Sequence, residues 1–587
     1  VNLAETLLHR CTDTPDRVFL TTFEEGVPVH CTFGAFRDQV RRWAALLGER
    51  GVTPGDRVAF IATKGPDQVA AFYAVWMVGG IAVPISESLG DLETGFVLRD
   101  CSPRLVLTEP AFHPRVCEAA GDVPVALFEA LAGHPGTRSE AAATAETEVA
   151  ALIYTSGSTG MPKGVMLTHR NVLRNGASAI QHIRIGPRDT VASLLPYWHS
   201  FGLVIEVVMS VMAGFRVAIP RDKKEFVRNL GAYQPTVVLV VPRIANALMT
   251  GIQRRVADSP PSHQRLFRLA MANARRLVQD SPGVSPVRLL RRAAQAFVYD
   301  PLVLRRVRAA FGDGFRFFIS GGAPLDLEPQ VFFRCVGAPM YQGYGLTEAT
   351  PIVSANTEER YLLGSSGALL PWLRPDQAGD FTFRDDQGHL GQHLHGELLL
   401  RGDCVMKGYW NHRDDSAKTL ENGWLHTGDM GYVDAQGFLH LEGRRSNLIC
   451  LFGGEKLHPE HVEDAIRVPG LITEAMVFGE ACKNVYAAVN IDPQWAQATA
   501  EVERLEVLRQ KVRERTAHLA AVQRPKDVLV LPDFGVANGT LTATLKIRRH
   551  RVWAVHGDLL LEFLRRNRED AGVAAAARSG RAGRGDA

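Results

Sequence analysis

Residues Ile153-Tyr-Thr-Ser-Gly-Ser-Thr-Gly-Met-Pro-Lys-Gly164 gather three glycines, four Ser/Thr hydroxyls and a lysine behind an apolar run. Gly157, Gly160 and Gly164 let backbone N–H groups turn toward an anion. Thr155, Ser156, Ser158 and Thr159 add donors, and Lys163 adds a point charge. Such a loop suits the phosphates of a nucleotide. A Walker loop needs Gly immediately before its Lys and Ser or Thr immediately after. Here Pro162 precedes Lys163 and Gly164 follows it, so a P-loop hydrolase is disfavoured. Taken alone, the loop also reads as a Gly/Ser surface turn without a ligand, and its company decides between the two.

That company follows in a fixed order. Leu195-Pro-Tyr-Trp-His-Ser-Phe-Gly202 sets aromatic rings around His199, and Tyr341-Gln-Gly-Tyr-Gly-Leu-Thr-Glu348 ends on a carboxylate. Gly396-Glu-Leu398 leads to Gly408-Tyr-Trp410, then Trp424-Leu-His-Thr-Gly-Asp429, Gly443-Arg444 and Leu541-Thr-Ala-Thr-Leu-Lys-Ile547. These blocks, spanning roughly residues 10 to 555, resemble the acyl-adenylate-forming superfamily of acyl-CoA synthetases, firefly-type luciferases and peptide-synthetase adenylation domains. Two details resemble the long-chain fatty acyl-CoA synthetases in particular. One is Val237-Val-Leu-Val-Val-Pro-Arg243 with the Arg-rich helical stretch after it, at about 255 to 310. The other is the form of the block around Lys546.

The resemblance implies that a fatty carboxylate attacks the α-phosphorus of ATP and that the acyl group then passes to coenzyme A. Two anions must meet, so positive charge, Mg2+ and aligned donors matter more than a general base. It implies that Thr155 to Gly164, with Thr155, Ser156, Gly157, Ser158, Thr159 and Gly160 in the ATP-binding set, hold the β- and γ-phosphates, that Lys163 steadies the pyrophosphate, and that Glu348 with Thr155 binds Mg2+. Tyr344 would lie on the adenine above a floor of Gly321, Gly322 and Ala323, with Gly345 and Thr347 in the same ATP-binding set. Asp429 would take the ribose hydroxyls, and Arg444 the ribose or α-phosphate. His199, Phe201 and Gly202 would border the acyl channel. Lys546 would be the principal catalytic group, bridging carboxylate and α-phosphate from a small domain that closes over the nucleotide. Each residue has a plainer reading as a core or surface side chain; the block order supplies the functional one. At the pivot the family usually has Asp or Lys, whereas this chain has Ser446 and Asn447. A polar hinge remains reasonable, but the final thiol is open between coenzyme A and the phosphopantetheine of an acyl-carrier protein. A catalytically silent nucleotide- or acyl-binding protein is the alternative of another class.

A chain of 587 residues, 46% hydrophobic, exceeds what one core serves. The fold class expected is α/β. A large domain of parallel, helix-covered sheets with a small barrel-like β subdomain (1–443) precedes a hinge at 444–447, a small mobile α+β lid (448–569) and a disordered Ala/Gly/Arg tail (570–587). Short apolar runs such as Arg57-Val-Ala-Phe-Ile61 alternate with helical patterns, and Val149 to Tyr154 reads as a buried strand. A hairpin is expected around Asp434 to Gly437, a buried helix at Phe201 to Gly214 and one helix from Trp495 to Leu519. The balance of 66 basic and 63 acidic residues, net +3, is too small to argue for a nucleic-acid partner or for strong attraction to anionic lipid. Eight scattered cysteines show neither zinc-ligand spacing nor a disulfide framework, which fits a reducing cytoplasm. No secretion signal or membrane span is visible, peripheral membrane contact stays open, and oligomeric state is not readable.

Overall fold

The computed structural model describes the chain except residues 133, 157–160, 280–284, 374–379, 454, 533, 537, 543–545 and 568–587. The expected tail at 570–587 thus lies outside the described residues.

Two large sheets share one core. In the first, Met340–Gly345, Phe317–Ser320, Val237–Val240, Thr190–Ser193, Arg216–Ala218 and Val18–Glu24 run parallel. Antiparallel strands Ile352–Ala355 and then Ala368–Leu369 extend one side, and antiparallel Val27–Thr32 closes the other. In the second, Val149–Ser156, Ile81–Ile85, Arg57–Ile61, Leu105–Thr108 and Val125–Leu127 run parallel. Strands buried on both faces are near-continuous Val/Ile/Leu runs, which is why those segments are legible as strands. Helix Pro66–Met77 lies within the shared core, and every residue from Gln68 to Met77 is buried. Its polar tips are satisfied there: Tyr73 Oη donates to the Val207 carbonyl at 2.9 Å and Trp76 Nε1 to the Ala150 carbonyl at 2.8 Å.

Three local features differ from the simplest sequence reading. Pro162–Thr168 is a strand that returns antiparallel beside Val149–Ser156. The buried helix at 201–214 forms, but Leu203–Met209 takes π geometry between short α segments. Ser210 donates to the carbonyls of Glu206 and Val207, and Tyr73 takes the Val207 carbonyl as well, competing with the α-helical ladder. The single helix expected from Trp495 to Leu519 is two helices, Pro493–Ala498 and Glu501–Thr516. Thr499 and Ala500 are extended between them, and Glu501 and Glu503 favour a fresh helix start through the dipole.

An antiparallel sheet of six strands, centred on Gly396–Leu400 and Trp424–Val433, forms the β subdomain. Its hairpin into Leu439–Arg444 turns at Asp434, whose Oδ1 accepts from the N–H groups of Gln436 and Phe438, both at 2.9 Å. The smaller C-terminal domain has its own core around the three-stranded sheet Ile472–Phe478, Tyr486–Ile491 and Val528–Val530. Helices Pro459–Ile466 and Arg549–Arg566 accompany that sheet. No helix among the described residues is long and apolar enough to cross a membrane.

Candidate active site

The C-terminal ends of the parallel strands bring the motifs together, the usual ligand edge of such sheets. Strand Phe317–Ser320 runs into Gly321 and Gly322, and strand Met340–Gly345 carries Tyr344 to the same edge. Two of these glycines are obligatory for different reasons. Gly322 has φ +84°, and a Cβ on Gly345 would sit 1.9 Å from the Pro351 carbonyl oxygen. Gly321 is buried against the Phe201 ring, 3.0 Å from where its Cβ would stand, while Gly322 and Ala323 are exposed beside it.

Tyr344, Asp429 and Arg444 form one chain of contacts. Tyr344 Oη donates to Asp429 Oδ2 at 2.6 Å, and Arg444 Nε pairs with Asp429 Oδ1 at 3.0 Å. Asp429 and Arg444 are also direct partners in the ladder between Trp424–Val433 and Leu439–Arg444, so the backbone sets their pairing. Asp429 raises the Arg444 pKa above the ordinary arginine value, and burial followed by Asp429 pushes the Tyr344 phenol up. Beyond Gly345, Thr347 Oγ1 meets Ser200 Oγ at 3.1 Å, tying this segment to the aromatic/His segment. Glu348 Oε1 accepts from Tyr409 Oη at 3.0 Å.

Lys546 reaches this cluster from the small domain. Its side chain is exposed, yet enough protein surrounds it that burial, then the Arg444 charge, pulls its pKa below the usual lysine range, with Asp429 and Glu348 opposing. The same ammonium is felt by His199, whose pKa falls to about 4 through burial first and Lys546 second. His199 Nδ1 accepts from the Phe201 N–H at 3.2 Å, and a Cβ on Gly202 would sit 2.4 Å from the Pro196 carbonyl oxygen, which fixes this turn tightly. Close to Lys546 in sequence, Arg548 pairs with Glu93 of the large domain at 3.2 Å, and Arg243 reaches Glu474 of the small domain at 3.8 Å.

Lys163 stands apart from the loop in which the sequence sets it. It belongs to strand Pro162–Thr168, opposite Thr155, with Nζ 2.7 Å from Asp415 Oδ2 and 5.5 Å from the centroid of the Tyr409 ring. That ring's hydroxyl holds Glu348, so Tyr409 stands between Lys163 and Glu348. Lys163 in turn depresses the Asp415 pKa. Gly157, Ser158, Thr159 and Gly160, expected at the phosphates, and the Ser156 side chain lie outside the described residues. Ser446 is exposed in the turn Arg445–Asn447, whose flank is held by Arg445 on Glu397 at 3.1 Å.

The sequence reading passes over two groups. Asp415 and Tyr409 are one; Tyr409 stands in a motif already singled out, Gly408-Tyr-Trp410. The other is a buried network under the segment Leu195–Phe201. Lys64 Nζ is 2.6 Å from Glu206 Oε2 and donates to the Ser193 carbonyl at 2.9 Å, while Tyr197 Oη donates to the same Glu206 oxygen at 3.1 Å. Ser193 Oγ donates to the other carboxylate oxygen, and Glu206 is fully buried in the π segment. A lone Glu in a long apolar run is the signal that could have found it.

Residues 7–410 match the AMP-binding enzyme family, and residues 446–555 match the AMP-binding enzyme C-terminal domain. The chain belongs to the AMP-binding enzyme family. It is an enzyme of that family's AMP-forming acyl-CoA ligase group. A relative named long-chain-fatty-acid–CoA ligase FadD15, from Mycobacterium bovis, is 30% identical over 93% of this chain and 94% of its own. A 2-succinylbenzoate–CoA ligase from Bacillus cytotoxicus is 27% identical over 81% and 85%. Among solved AMP-binding enzyme folds, o-succinylbenzoate CoA synthetase (MenE) from Bacillus subtilis, in complex with its acyl-adenylate intermediate, superposes with TM-score 0.72 at 24% identity. That superposition covers 93% of this chain and 97% of the other.

Proposed function

We propose that this AMP-binding enzyme activates a medium- to long-chain fatty acid as its acyl-adenylate, releasing pyrophosphate, and transfers the acyl group to coenzyme A with release of AMP. The observation that carries the reading is the position of Lys546, inside the electrostatic field of Arg444, Asp429 and Glu348 and felt by His199. A cation there meets the fatty carboxylate and the α-phosphate together, where the transition state gathers negative charge. His199, held neutral, adds no charge there and serves as a wall beside Phe201 and Gly202. Tyr344 and the exposed Gly322-Ala323 floor take the adenine, Asp429 accepts from the ribose hydroxyls, and Arg444 supports the ribose or α-phosphate. Lys163 and the glycine-rich turn, residues 155 to 160, receive the β- and γ-phosphates; Asp415 then gives up its lysine to a stronger anion.

Glu348 fits a magnesium site: among the described residues its carboxylate takes one hydrogen bond, from Tyr409, and Thr155 adds a hard oxygen on the neighbouring hairpin. Mg2+ held there would screen the phosphates from the incoming carboxylate. For the acid, the relatives' names support both fatty and succinylbenzoyl groups. The cation under the His199 segment, Lys64, is neutralised by Glu206, which favours an uncharged tail over a second carboxylate. The uncharged, exposed pivot at Ser446 favours one further reading, an acyl-carrier phosphopantetheine as acceptor.

Pyrophosphate release scored across a panel of fatty acids, diacids and aryl acids tests the proposal. Release with C8 to C18 fatty acids is expected, together with AMP and thioester when coenzyme A is added. Release only with diacids or aryl acids would overturn the substrate. Adenylation without thioester on coenzyme A, with transfer to a loaded carrier, would overturn the acceptor. No release with any acid while ATP still binds would return the protein to the silent binding class.

A further inference from the structure

The arginine-rich arm takes no part in the site described above, and its surface has a character of its own. Between residues 254 and 308 the chain carries twelve arginines, no lysine and three aspartates, net +9; the whole chain totals +3, so the remainder sums to −6. Helix Pro286–Ala294 continues directly into the π-helical segment Gln295–Leu304. One side of this rod is packed. Leu304 is buried, Tyr299 and Val303 lie against the core of the first sheet, and Asn273 Nδ2 donates to the Arg291 carbonyl at 3.0 Å and to Gln295 Oε1 at 2.9 Å.

The opposite side presents Leu289, Leu290, Ala293, Phe297, Val298 and Leu302. Leu290 is 72% exposed, Phe297 81% and Leu302 51%. The steps from 289 to 293 to 297 suit an α turn, and the five-residue step from 297 to 302 suits the wider π turn. The change of helix type thereby keeps the apolar stripe on one side across Pro301. Arg292, Arg305 and Arg306 are exposed along and beyond that stripe.

We propose that this arm docks the enzyme onto an anionic lipid surface, with the stripe from Leu289 to Leu302 in the acyl boundary and the arginines in the headgroup layer. The rod is too short and too charged at its ends to span a bilayer, and it suits lying flat. A second copy of this chain fits poorly, because pairing stripe to stripe would bring two segments of net +9 together. The inference does not depend on which acid the enzyme activates.

Co-sedimentation of the full chain with vesicles tests it, comparing phosphatidylcholine alone with phosphatidylcholine plus phosphatidylglycerol. Binding to the anionic vesicles is expected at low salt, falling as salt rises, with little binding to the neutral ones. Leu290→Asp/Phe297→Asp and, separately, Arg292→Glu/Arg305→Glu/Arg306→Glu should each weaken it by about tenfold or more while leaving the melting midpoint in place. A Phe297→Trp variant should shift its emission to the blue with anionic vesicles only. The proposal is overturned if the wild type stays in the supernatant with anionic vesicles, or if the aspartate variant sediments like the wild type. A lipid-free dimer that the aspartate variant dissociates would overturn it as well, by making the stripe a subunit interface.

Discussion

Two charged clusters bear on the segment Leu195–Phe201, and their partners come from different places. Lys64, Glu206, Ser193 and Tyr197 all belong to the large domain, and every charge there meets its complement within hydrogen-bond distance. Lys546, Arg444, Asp429 and Glu348 come from two domains, and their charges cancel in number without all being paired: Arg444 holds Asp429, while among the described residues Lys546, its pKa lowered by burial and then by Arg444, makes no ion pair. The first cluster is complete without a ligand. The second leaves the Lys546 ammonium without an ion pair among the described residues, which folding alone would not select and an incoming polyanion would engage. Burial and ion pairing therefore mark structure in one place and chemistry in the other, and the distinction lies in whether each charge is paired within the protein.

Removing one partner from each cluster breaks the comparison most directly. Glu206→Ala leaves a lysine ammonium uncompensated in the interior, so chemical denaturation should show a loss of about 3–5 kcal/mol. Replacing Lys64 and Glu206 together by Met and Leu should recover most of it. Lys546→Ala should do the reverse, with an unchanged melting midpoint and pyrophosphate release down by roughly 10² to 10³. If Lys546→Ala loses stability and keeps its rate, the two clusters have exchanged roles.

Titration sharpens the contrast. Because the Lys546 pKa is lowered, activity that needs its charge should fall on the alkaline side before an ordinary lysine would titrate, and Lys546→Arg should move that limb upward. His199 is held near pKa 4 against about 6.5 unfolded, so it contributes stability above pH 6.5 that is lost as pH falls toward 4. His169 is depressed in the same way, so the readout is the difference between wild type and His199→Gln, which should lose the steeper part of the acid slope. The smallest effect belongs to Asp415→Asn. A pair of this exposure is worth about 0–1 kcal/mol, so melting should barely move while the KM for ATP changes by a few fold.

The sequence was most legible where chemistry is written in consecutive residues. Tyr344-Gly345 and Asp429 declare themselves because a close backbone approach demands glycine, and because their blocks recur in order. The strands around Val58, Val83 and Val237 are legible because burial on both faces admits little but branched apolar residues. Pairings across long sequence separations were not legible: nothing local to Lys163 names Asp415 as its counter-ion, or Glu93 as the anchor of Arg548. The π turn over Leu203–Met209 escaped because its cause, two hydroxyls contending for the Glu206 and Val207 carbonyls, is tertiary. The break at Thr499 escaped because both flanking stretches favour helix.

Asp429 and Arg444 face each other on a single rung of one β ladder, and the chain leaves for the small domain immediately after that rung. Whatever grips the rung also braces the post from which the outer lobe hangs. Sensing of cargo and stiffness of the doorway are thereby cast in one piece, and a change to either arrives as a change to both.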